Sequence, residues 1–156
     1  MKLLVVSDIH SDGHRLNPLL EKGDEYQHVR FLGDGWRQAE CLQYAYPTRF
    51  AGVRGNCDDD CDWHEDYVVQ AGSVRILMTH GHRYGVRTHL DSLAAAAIAQ
   101  GATVALYGHT HQANVEYVMG VLCVNPGHVC YPHSTATYCE LEIDGDNVTP
   151  KIVKFD

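Results

Sequence analysis

The stretch KLLVVSDIH, residues 2–10, decides the fold class, because a short run of strand-forming residues ends abruptly in polar ones. Leu3 to Val6 predict a buried strand. Asp8 and His10 follow the C-terminal end of that strand, and open α/β sheets bind their ligands at the carboxyl ends of strands. The segment therefore predicts an α/β fold with a functional site at a strand end.

Further predicted strands end in the same way, in aspartate, asparagine or histidine with a glycine nearby. They cover residues 29–32 (before GD), 48–53 (before GNCD), 68–79 (two strands, before HGH) and 103–107 (before GHTH). Glycine beside such residues lets the backbone approach a ligand closely. The candidate site is therefore spread over several strand ends.

Helices are predicted between these strands, at residues 17–22 together with the residues just before them, at 38–46 and at 90–100. Gly23 and Gly101 mark the ends of two of them. After Ala113 the sequence predicts strands only, with turns at residues 125–127 (NPG) and 144–147 (DGDN). An order of βαβα followed by a β-rich tail predicts an α/β sandwich of two packed sheets with flanking helices.

The chain length of 156 residues predicts one domain, spanning residues 1–156, because no Pro/Gly/Ser tract or charged tail marks a linker. The apolar run before Ser7 is only four residues long, far shorter than a signal-peptide core or a membrane span. We therefore expect a cytoplasmic protein with no membrane partner. The six cysteines are expected to stay reduced and mostly buried.

The formal net charge of −8 argues against a surface that binds long nucleic acids, because contacts with the phosphate backbone need clustered lysine and arginine. An acidic protein can still handle a phosphate group if bound cations reverse the local charge. Eleven histidines are unusual for this length, and neutral imidazole is the commonest metal ligand. The composition thus directs attention to metal sites.

The stretch GNCDDDCDW, residues 55–63, allows three interpretations. A calcium loop of the EF-hand type fails, because Trp63 occupies the position of the required glycine and Val69 that of the bidentate glutamate. A structural zinc site is weak, since Cys57 and Cys61 have no second cysteine pair at a matching spacing. The third possibility is that Asn56 belongs to a site assembled from the whole chain.

That third site would gather ligand-type residues from the predicted strand ends. The candidates are Asp8, His10, Asp34, Asn56, His80, His109 and His111. A central aspartate flanked by such residues can bridge two divalent ions. Oxygen and imidazole ligands without thiolate suit manganese, iron, nickel, cobalt or magnesium better than a closed structural zinc site. Asp59, Asp60 and Asp62 are then expected to form a solvated acidic loop.

The ordered motifs SDIH, GD, GNCD, HGH and GHTH resemble the calcineurin-like metallophosphoesterase superfamily. The short chain, with GNCD and NPG, is similar to the small bacterial and archaeal phosphodiesterase branch, which is related to the retromer scaffold subunit. The motifs span residues 8–127, and five in the correct order are a specific signal. The resemblance implies a four-layer α/β/β/α sandwich of two mixed sheets with a two-metal hydrolytic site.

The resemblance also implies a role for each motif residue. It puts Asp8, His10, Asp34 and His111 on one metal ion, and Asp34, Asn56, His80 and His109 on the other. The ions would lie about 3.5–4 Å apart, and a hydroxide that bridges them would attack the phosphorus in line. Manganese is the ion we expect, with nickel, iron, cobalt, zinc and magnesium as alternatives. The residues expected to act in catalysis are Asp34, Asn56, His80 and His82.

This sequence departs from the family at two places. Cys57 stands where many relatives have a histidine that contacts the phosphoryl group or protonates the leaving oxygen. A neutral thiol, with a reference pKa of about 8.5, is a poor substitute for an imidazolium. The loop after NPG carries His128 and His133, which we expect to lie on the surface unless they alter phosphate contacts. Asp58 is expected to orient its loop, and His82 to face the substrate.

Three functions stay open at this point. The first is a phosphodiesterase acting on a small phosphate ester, which the missing motif histidine slightly favours. The second is a phosphomonoesterase or nucleotide phosphatase that uses the same metals, and the third is a non-catalytic interaction scaffold. Since every implied ligand is present as Asp, Asn or His, retained metal binding is expected. A homodimer is possible.

Overall fold

The computed structural model describes residues 1–130 and 135–155. Within this part of the chain, ten strands form two sheets of five strands each. The strands are β1 (Lys2–Val6), β2 (His28–Phe31), β3 (Phe50–Gly52), β4 (Asp66–Ala71), β5 (Val74–Thr79), β6 (Val104–Leu106), β7 (Asn114–Val118), β8 (Val121–Asn125), β9 (Thr137–Asp144) and β10 (Asn147–Lys154). The α-helices in the same ranges are α1 (Asn17–Leu20), α2 (Trp36–Ala45) and α3 (Asp91–Ala99).

Strand β1 lies in the middle of the first sheet, whose strand order is β10-β9-β1-β2-β3. It pairs parallel with β2 and antiparallel with β9. Leu3 to Val6 are 0% exposed, as expected for a strand that is covered on both faces. The bounds of this strand agree with the prediction from KLLVV.

The second sheet has the order β4-β5-β6-β8-β7. Its three inner strands, β5, β6 and β8, run parallel to one another, while β4 and β7 pair antiparallel at the two edges. Both sheets are therefore mixed. Because the parallel strands of a sheet end at the same edge, residues that follow β5 and β6 are brought close together.

Three apolar clusters hold the layers together. The first lies between the sheets and joins side chains of β1 and β9, such as Leu3 and Leu141, to side chains of β5 and β8, such as Met78 and Val124. The second packs α1 and α2 on the outer face of the first sheet. The third packs α3 on the outer face of the second sheet. This is the α/β/β/α sandwich that the family resemblance implied.

The first helix differs from the prediction for residues 17–22. Only Asn17–Leu20 is α-helical, and short 3-10 turns precede and follow it. Gly23 does not stop a long helix but begins the 3-10 turn Gly23–Glu25. An isolated turn of helix is unstable in water, and here packing of Leu16 and Leu19 on the sheet stabilises it. Among the described residues, no helix is long and apolar enough to span a membrane.

Candidate metal centre

The C-terminal ends of β1, β2, β5 and β6 meet at one edge of the sandwich, and the residues after them form the candidate site. Asp8 follows β1, Asp34 follows β2, and His80 comes directly after β5. The loop after β6 carries His109 and His111. Both sheets therefore contribute side chains to this edge, which is where the sequence pattern predicted them.

Three buried side chains, those of Asp8, Asp34 and His80, form the middle of the site. One ligand atom from each lies within 4.8 Å of the others. The Nε2 atom of His80 is 3.2 Å from Oδ2 of Asp34 and 3.9 Å from Oδ1 of Asp8. The exposed fraction is 0% for Asp8 and His80 and 3% for Asp34. Two carboxylates and an imidazole at this spacing are a suitable donor set for a divalent cation.

The ring of His80 is oriented by the backbone of the neighbouring strand end. Its Nδ1 atom lies 2.7 Å from the carbonyl oxygen of Leu32, which can only accept a hydrogen bond, so Nδ1 carries the proton. The Nε2 atom is then directed at the two carboxylates. This arrangement, with one ring nitrogen fixed by a carbonyl and the other free, is typical of a metal-ligating histidine.

The two oxygens of Asp8 have different environments. Oδ2 accepts hydrogen bonds from the Ser7 hydroxyl at 2.7 Å and from the backbone N–H of His109 at 3.1 Å. Oδ1 instead faces imidazole nitrogens, with Nε2 of His111 at 3.3 Å and Nε2 of His10 at 3.9 Å. One oxygen therefore fixes the carboxylate, and the other points into the site.

The rings of His10 and His111 lie side by side at the more exposed part of the site. Their Nε2 atoms are 3.4 Å apart, and Nε2 of His10 is 4.0 Å from Oδ2 of Asp34. These two nitrogens also face the carboxylates of Asp8 and Asp34. The four side chains are the ligand set that the family resemblance implied for one ion. The structure thus brings all four side chains of that set together.

A cation fits the centre because two buried polar atoms there have no hydrogen-bond partner. Among the described residues, Oδ1 of Asp8 and Nε2 of His80 are both inaccessible and make no hydrogen bond, although Nε2 of His111 and Oδ2 of Asp34 lie 3.3 Å and 3.2 Å from them. Leaving a buried polar group unpaired costs about 1–3 kcal/mol, and more for a charged group. A divalent ion that these atoms ligate would remove that penalty. The oxygen and nitrogen donors present are those expected for manganese, iron, nickel or cobalt.

The backbone conformation of the predicted ligands is unusual. Five of them have positive φ angles, a region that residues other than glycine rarely occupy. They are Asp8 (55°), His10 (50°), Asp34 (65°), His109 (71°) and His111 (61°). Such conformations cost of the order of 1–3 kcal/mol each and cluster at functional sites. The strain is therefore concentrated on the residues that carry the candidate chemistry.

Two glycines allow the carboxylates to approach the backbone closely. A Cβ atom added to Gly55 would overlap Oδ1 of Asp34. One added to Gly108 would overlap the hydroxyl of Ser7 and come within 2.8 Å of Oδ2 of Asp8. Substitution of either glycine would displace a carboxylate that the site depends on.

Asp34 is ionised at neutral pH. Burial by itself raises the pKa of its carboxyl group. The nearby His80 ring and the backbone N–H of Cys57 have the opposite and larger effect, and the resulting pKa is about 2. The pKa of His80 is raised, because the two carboxylates outweigh the effect of burial. The negative charge of the site is thus held on the carboxylates, where it can face a cation.

Asn56 lies exposed at the rim of the site, in the loop after β3. Its amide nitrogen is 3.5 Å from the sulfur of Cys57, whose backbone N–H donates to Oδ1 of Asp34 at 2.9 Å. A metal-ligand role for Asn56 stays a prediction. The Cys57 sulfur itself lies within 4.8 Å of ligand atoms of Asp34 and His10. Burial, and then the negative charge of Asp34, raise the pKa of this thiol, so it is neutral at pH 7.

Asp58 joins the loops after β2 and β3. Its two oxygens accept hydrogen bonds from four backbone N–H groups, at distances of 2.7–3.1 Å. The donors are Asp34, Gly35, Trp36 and Gly55. This confirms the prediction that Asp58 orients its loop, whereas Asp59, Asp60 and Asp62 are exposed as expected.

On the opposite side of His80 lie two more histidines of the motifs. The ring of His109 stands nearly perpendicular to that of His80, with centroids 5.1 Å apart, and the His82 ring is 5.5 Å from His80. Burial and then the charge of His80 lower the pKa of both rings, so they are neutral at pH 7. Neutral imidazole is the form that binds metals. The substrate-facing role of His82 stays a prediction.

Two residues near the centre, His128 and Arg87, were misjudged or missed from the sequence, and Cys130 is buried as expected but contacts the site. His128 was expected on the surface, but it is buried and stacks on His111 with ring centroids 5.4 Å apart. Cys130, expected to be a core residue, is buried, and its sulfur lies 3.9 Å from Nδ1 of His111. Arg87 matched no motif, yet it donates a hydrogen bond to His109. The position of His133 lies outside the described residues.

Comparison with known proteins shows the family of this chain. The Calcineurin-like phosphoesterase superfamily domain matches residues 1–146. The probable metallophosphoesterase YsnB of Bacillus subtilis (strain 168) is 32% identical over 154 residues, which cover 96% of this chain and 88% of the relative.

Solved structures share the fold over nearly the whole chain. A conserved protein of Streptococcus pneumoniae TIGR4, described as a predicted phosphoesterase, has a TM-score of 0.81 and 25% identity, with 98% of this chain and 88% of that one covered. Two others have a TM-score of 0.74 and 21% identity, an archaeal phosphodiesterase (98% and 100% covered) and Vps29 of Entamoeba histolytica complexed with zinc (100% of both chains). With its ordered motifs, its sandwich of mixed sheets and its carboxylate–imidazole centre, this chain belongs to the calcineurin-like phosphoesterase superfamily, a family of metal-dependent enzymes.

Proposed function

We propose that this protein is a phosphodiesterase that hydrolyses a small phosphate ester with the help of two divalent ions. The observation that carries the proposal is a pair of buried atoms that make no hydrogen bond among the described residues, Oδ1 of Asp8 and Nε2 of His80, which lie 3.9 Å apart, with Oδ2 of Asp34 3.2 Å from the latter. Asp34 is central, since its Oδ2 lies 3.2 Å from the His80 ring and 4.0 Å from the His10 ring. It is thus suited to contact an ion on either side.

In this proposal the side chains divide into two ligand groups around Asp34. Asp8, His10 and His111 would hold one ion, while Asn56, His80 and His109 would hold the other. When bound, the ions would lower the pKa of a water nucleophile and neutralise charge on the phosphoryl oxygens.

The supporting residues would keep this geometry during turnover. Leu32 and Asp58 orient ligands through hydrogen bonds that are already formed, so little reorganisation is needed. His82 lies beside both His80 and His109, where it would face the substrate.

Manganese is the ion that we propose for the native enzyme. The donors that face the centre are carboxylate oxygens and neutral imidazole nitrogens, which suit manganese, iron, nickel and cobalt. Geometry and metal availability decide among these ions, because affinity alone would favour the later members of the series.

A diester is the preferred substrate because the group at position 57 is a poor acid. The Cys57 thiol has a raised pKa, so it would give up its proton to a leaving oxygen less readily than an imidazolium would. Esters with good leaving groups are therefore expected to react fastest. The archaeal phosphodiesterase with the same fold supports this choice.

The alternatives make different predictions. A phosphomonoesterase would use the same centre but prefer esters with a single substituent. A non-catalytic scaffold, suggested by the likeness to Vps29, would not need strained, ionised ligands at one edge. The homodimer stays a prediction.

The test compares two substrates with one leaving group. Metal-free protein is supplied with Mn²⁺ and assayed with bis(p-nitrophenyl) phosphate and with p-nitrophenyl phosphate. We expect metal-dependent hydrolysis with a higher kcat/KM for the diester. Hydrolysis of neither compound would contradict the enzyme function, and preference for the monoester would replace the diesterase by a monoesterase.

A further inference from the structure

Arg87 contacts the candidate metal centre from outside the predicted ligand set. Its Nε atom donates a hydrogen bond to Nε2 of His109 at 3.0 Å, and its Nη2 atom donates to the backbone oxygen of His109 at 3.4 Å. The side chain is exposed. A guanidinium group therefore lies at the mouth of the site, in a protein with a formal net charge of −8.

The hydrogen bond from Arg87 to the ring uses the same electron pair that a metal would need. A neutral imidazole has one nitrogen with a lone pair and one N–H group. In His109 the lone pair on Nε2 accepts from Arg87. When a divalent ion binds this ring, it takes the lone pair whichever nitrogen it binds, and the other nitrogen carries the proton. The ring then offers Arg87 no acceptor.

Metal binding at His109 thus frees the Arg87 side chain to bind another acceptor. Arginine pairs with phosphate oxygens through two parallel N–H groups, which makes a phosphate at the metal centre a suitable partner. The position of Arg87 beside His109 puts its guanidinium next to the place where the phosphoryl group would lie. The positive charge would be presented only after the metal is in place.

A cleft of about 530 Å³ begins beside Arg87. We call it the Arg87 cleft, and it is lined by residues 86–91 together with Tyr107, Thr110, Gln112 and Asn114, among others. Pockets for small molecules commonly have volumes of about 300–1,000 Å³. Arg87 lines the cleft and donates to the ring of the predicted ligand His109, and Thr110, also in the lining, follows His109 in the chain, so the cleft adjoins the metal centre on the side of His109.

The lining of the Arg87 cleft indicates which kind of group fits it. Tyr107 is buried, and its hydroxyl accepts a hydrogen bond from Asn114 at 3.1 Å, which fixes that wall. The exposed Gln112 can offer an amide to a ligand. Asp91 and Glu116 also line the cleft, and their carboxylates would repel a second phosphate. An uncharged, polar group about as large as a nucleoside matches this lining.

We propose that Arg87 is a substrate-binding residue, released by metal binding at His109, that contacts the phosphate of the ester. The Arg87 cleft then holds an uncharged, polar, nucleoside-sized substituent of the same ester. This inference rests on the proposed function, because it uses the metal centre as the place where the phosphate binds.

The first experiment measures binding and does not need turnover. Wild-type protein, Arg87→Gln and the control Arg75→Gln are titrated with Mn²⁺ and then, loaded with Mn²⁺, with inorganic phosphate by calorimetry. Arg75 is a matched control, because it is exposed, lies near the start of β5 at the opposite end of that strand from His80, and donates a hydrogen bond to the backbone carbonyl of Gln100.

We expect Arg87→Gln to bind Mn²⁺ at least as tightly as the wild type, because the arginine no longer competes for the lone pair of His109. Its Kd for phosphate should rise roughly tenfold, the effect of losing one charge-assisted pair. Arg75→Gln should match the wild type in both titrations. An unchanged phosphate Kd in Arg87→Gln, or weaker Mn²⁺ binding, would overturn the proposal.

The second experiment tests the cleft with two diesters that share a leaving group, thymidine 5′-(p-nitrophenyl phosphate) and methyl p-nitrophenyl phosphate. In Gln112→Ala we expect the ratio of the KM for the thymidine ester to that for the methyl ester to rise about fivefold, as for one lost hydrogen bond. An unchanged ratio would overturn the assignment of the cleft. If the wild type hydrolyses neither ester while phosphate binding still depends on Arg87, the proposed function fails and the assignment of Arg87 stands.

Discussion

The two ends of the first sheet both bury charged groups, but they treat them differently. Where β1 begins, Glu140 accepts a hydrogen bond from the Tyr26 hydroxyl at 2.8 Å and forms an ion pair with Lys2 at 3.3 Å. Where β1 ends, Oδ1 of Asp8 and Nε2 of His80 are buried and make no hydrogen bond within residues 1–130 and 135–155. The paired end is built for stability, and the unpaired end holds its charges ready for a ligand.

The largest expected effect comes from removing the central charge at the unpaired end. Asp34→Asn should lower kcat by at least about a thousandfold, because the amide cannot neutralise and bridge two cations. Its thermal stability in the absence of metal should be lower than that of the wild type, because the folded protein lowers the pKa of Asp34 to about 2 and therefore favours the charged carboxylate. Activity assays and thermal unfolding measure both effects.

Asp60→Asn is the control for Asp34→Asn, since Asp60 is exposed in the acidic loop and should not matter for either quantity. If the two substitutions lower kcat equally, the division of the acidic residues into site and solvated loop is wrong.

The second largest effect is expected at Asp58, which lies at the same end of the sheet as the metal centre but has its hydrogen bonds satisfied. Asp58→Asn should lower the free energy of unfolding by about 2–3 kcal/mol, because one carboxamide cannot accept from all four backbone N–H groups. Denaturant titration measures the change, and Asp59→Asn, at an exposed neighbour, should stay within about 0.5 kcal/mol of the wild type.

At the paired end, Glu140→Gln should lower the free energy of unfolding by about 1–2 kcal/mol at pH 7 and leave kcat unchanged. Burial raises the pKa of Glu140, but the hydrogen bonds from Tyr26 and Lys2 lower it overall. The unfolded chain, with a glutamate pKa of about 4.3, therefore binds the proton first as the pH falls.

Glu140 thus stabilises the folded protein fully above about pH 4.3. This stabilisation is lost as the pH falls through the pKa that Glu140 has in the folded protein, which is lower. Unfolding curves between pH 7 and pH 3 should be flatter for Glu140→Gln than for the wild type. A large loss of activity in this variant would mean that the two ends of the sheet are coupled.

The smallest expected effect is at Cys57. Cys57→His should raise kcat about tenfold for diesters with alkyl leaving groups and change it little for p-nitrophenyl esters, because an imidazolium is the better proton donor. Steady-state kinetics with the two classes of ester measure the difference. If alkyl esters gain nothing, the thiol does not explain a preference for good leaving groups.

Much of the site could be predicted because its residues follow strand ends. The run before Asp8 has the same bounds in the sequence pattern and in the structure. Parallel pairing places Asp34 beside Asp8 in the first sheet and His80 beside the loop of His109 in the second. A local pattern of this kind predicts both the strand and the place of the residue that follows it.

Contacts between distant segments were harder to predict. Arg87 reaches His109 across 22 residues, and His128 stacks on His111 from another loop, so no local pattern marks either contact. The first helix was predicted too long, because packing on the sheet rather than local propensity decides where α1 ends. A sequence pattern shows which residues end a strand but not which loops lie over them.

The positive φ angles of the five predicted ligands bear on how this fold evolves. At such positions glycine is relaxed, whereas aspartate and histidine are not, so replacing a ligand by glycine would relieve strain and repulsion while it removed the chemistry. The relieved strain would then offset part of the stability lost with the hydrogen bonds of the ligand, such as those to Oδ2 of Asp8. A lineage that stopped hydrolysing esters could keep the sandwich intact and adapt its surface to new partners, one substitution at a time.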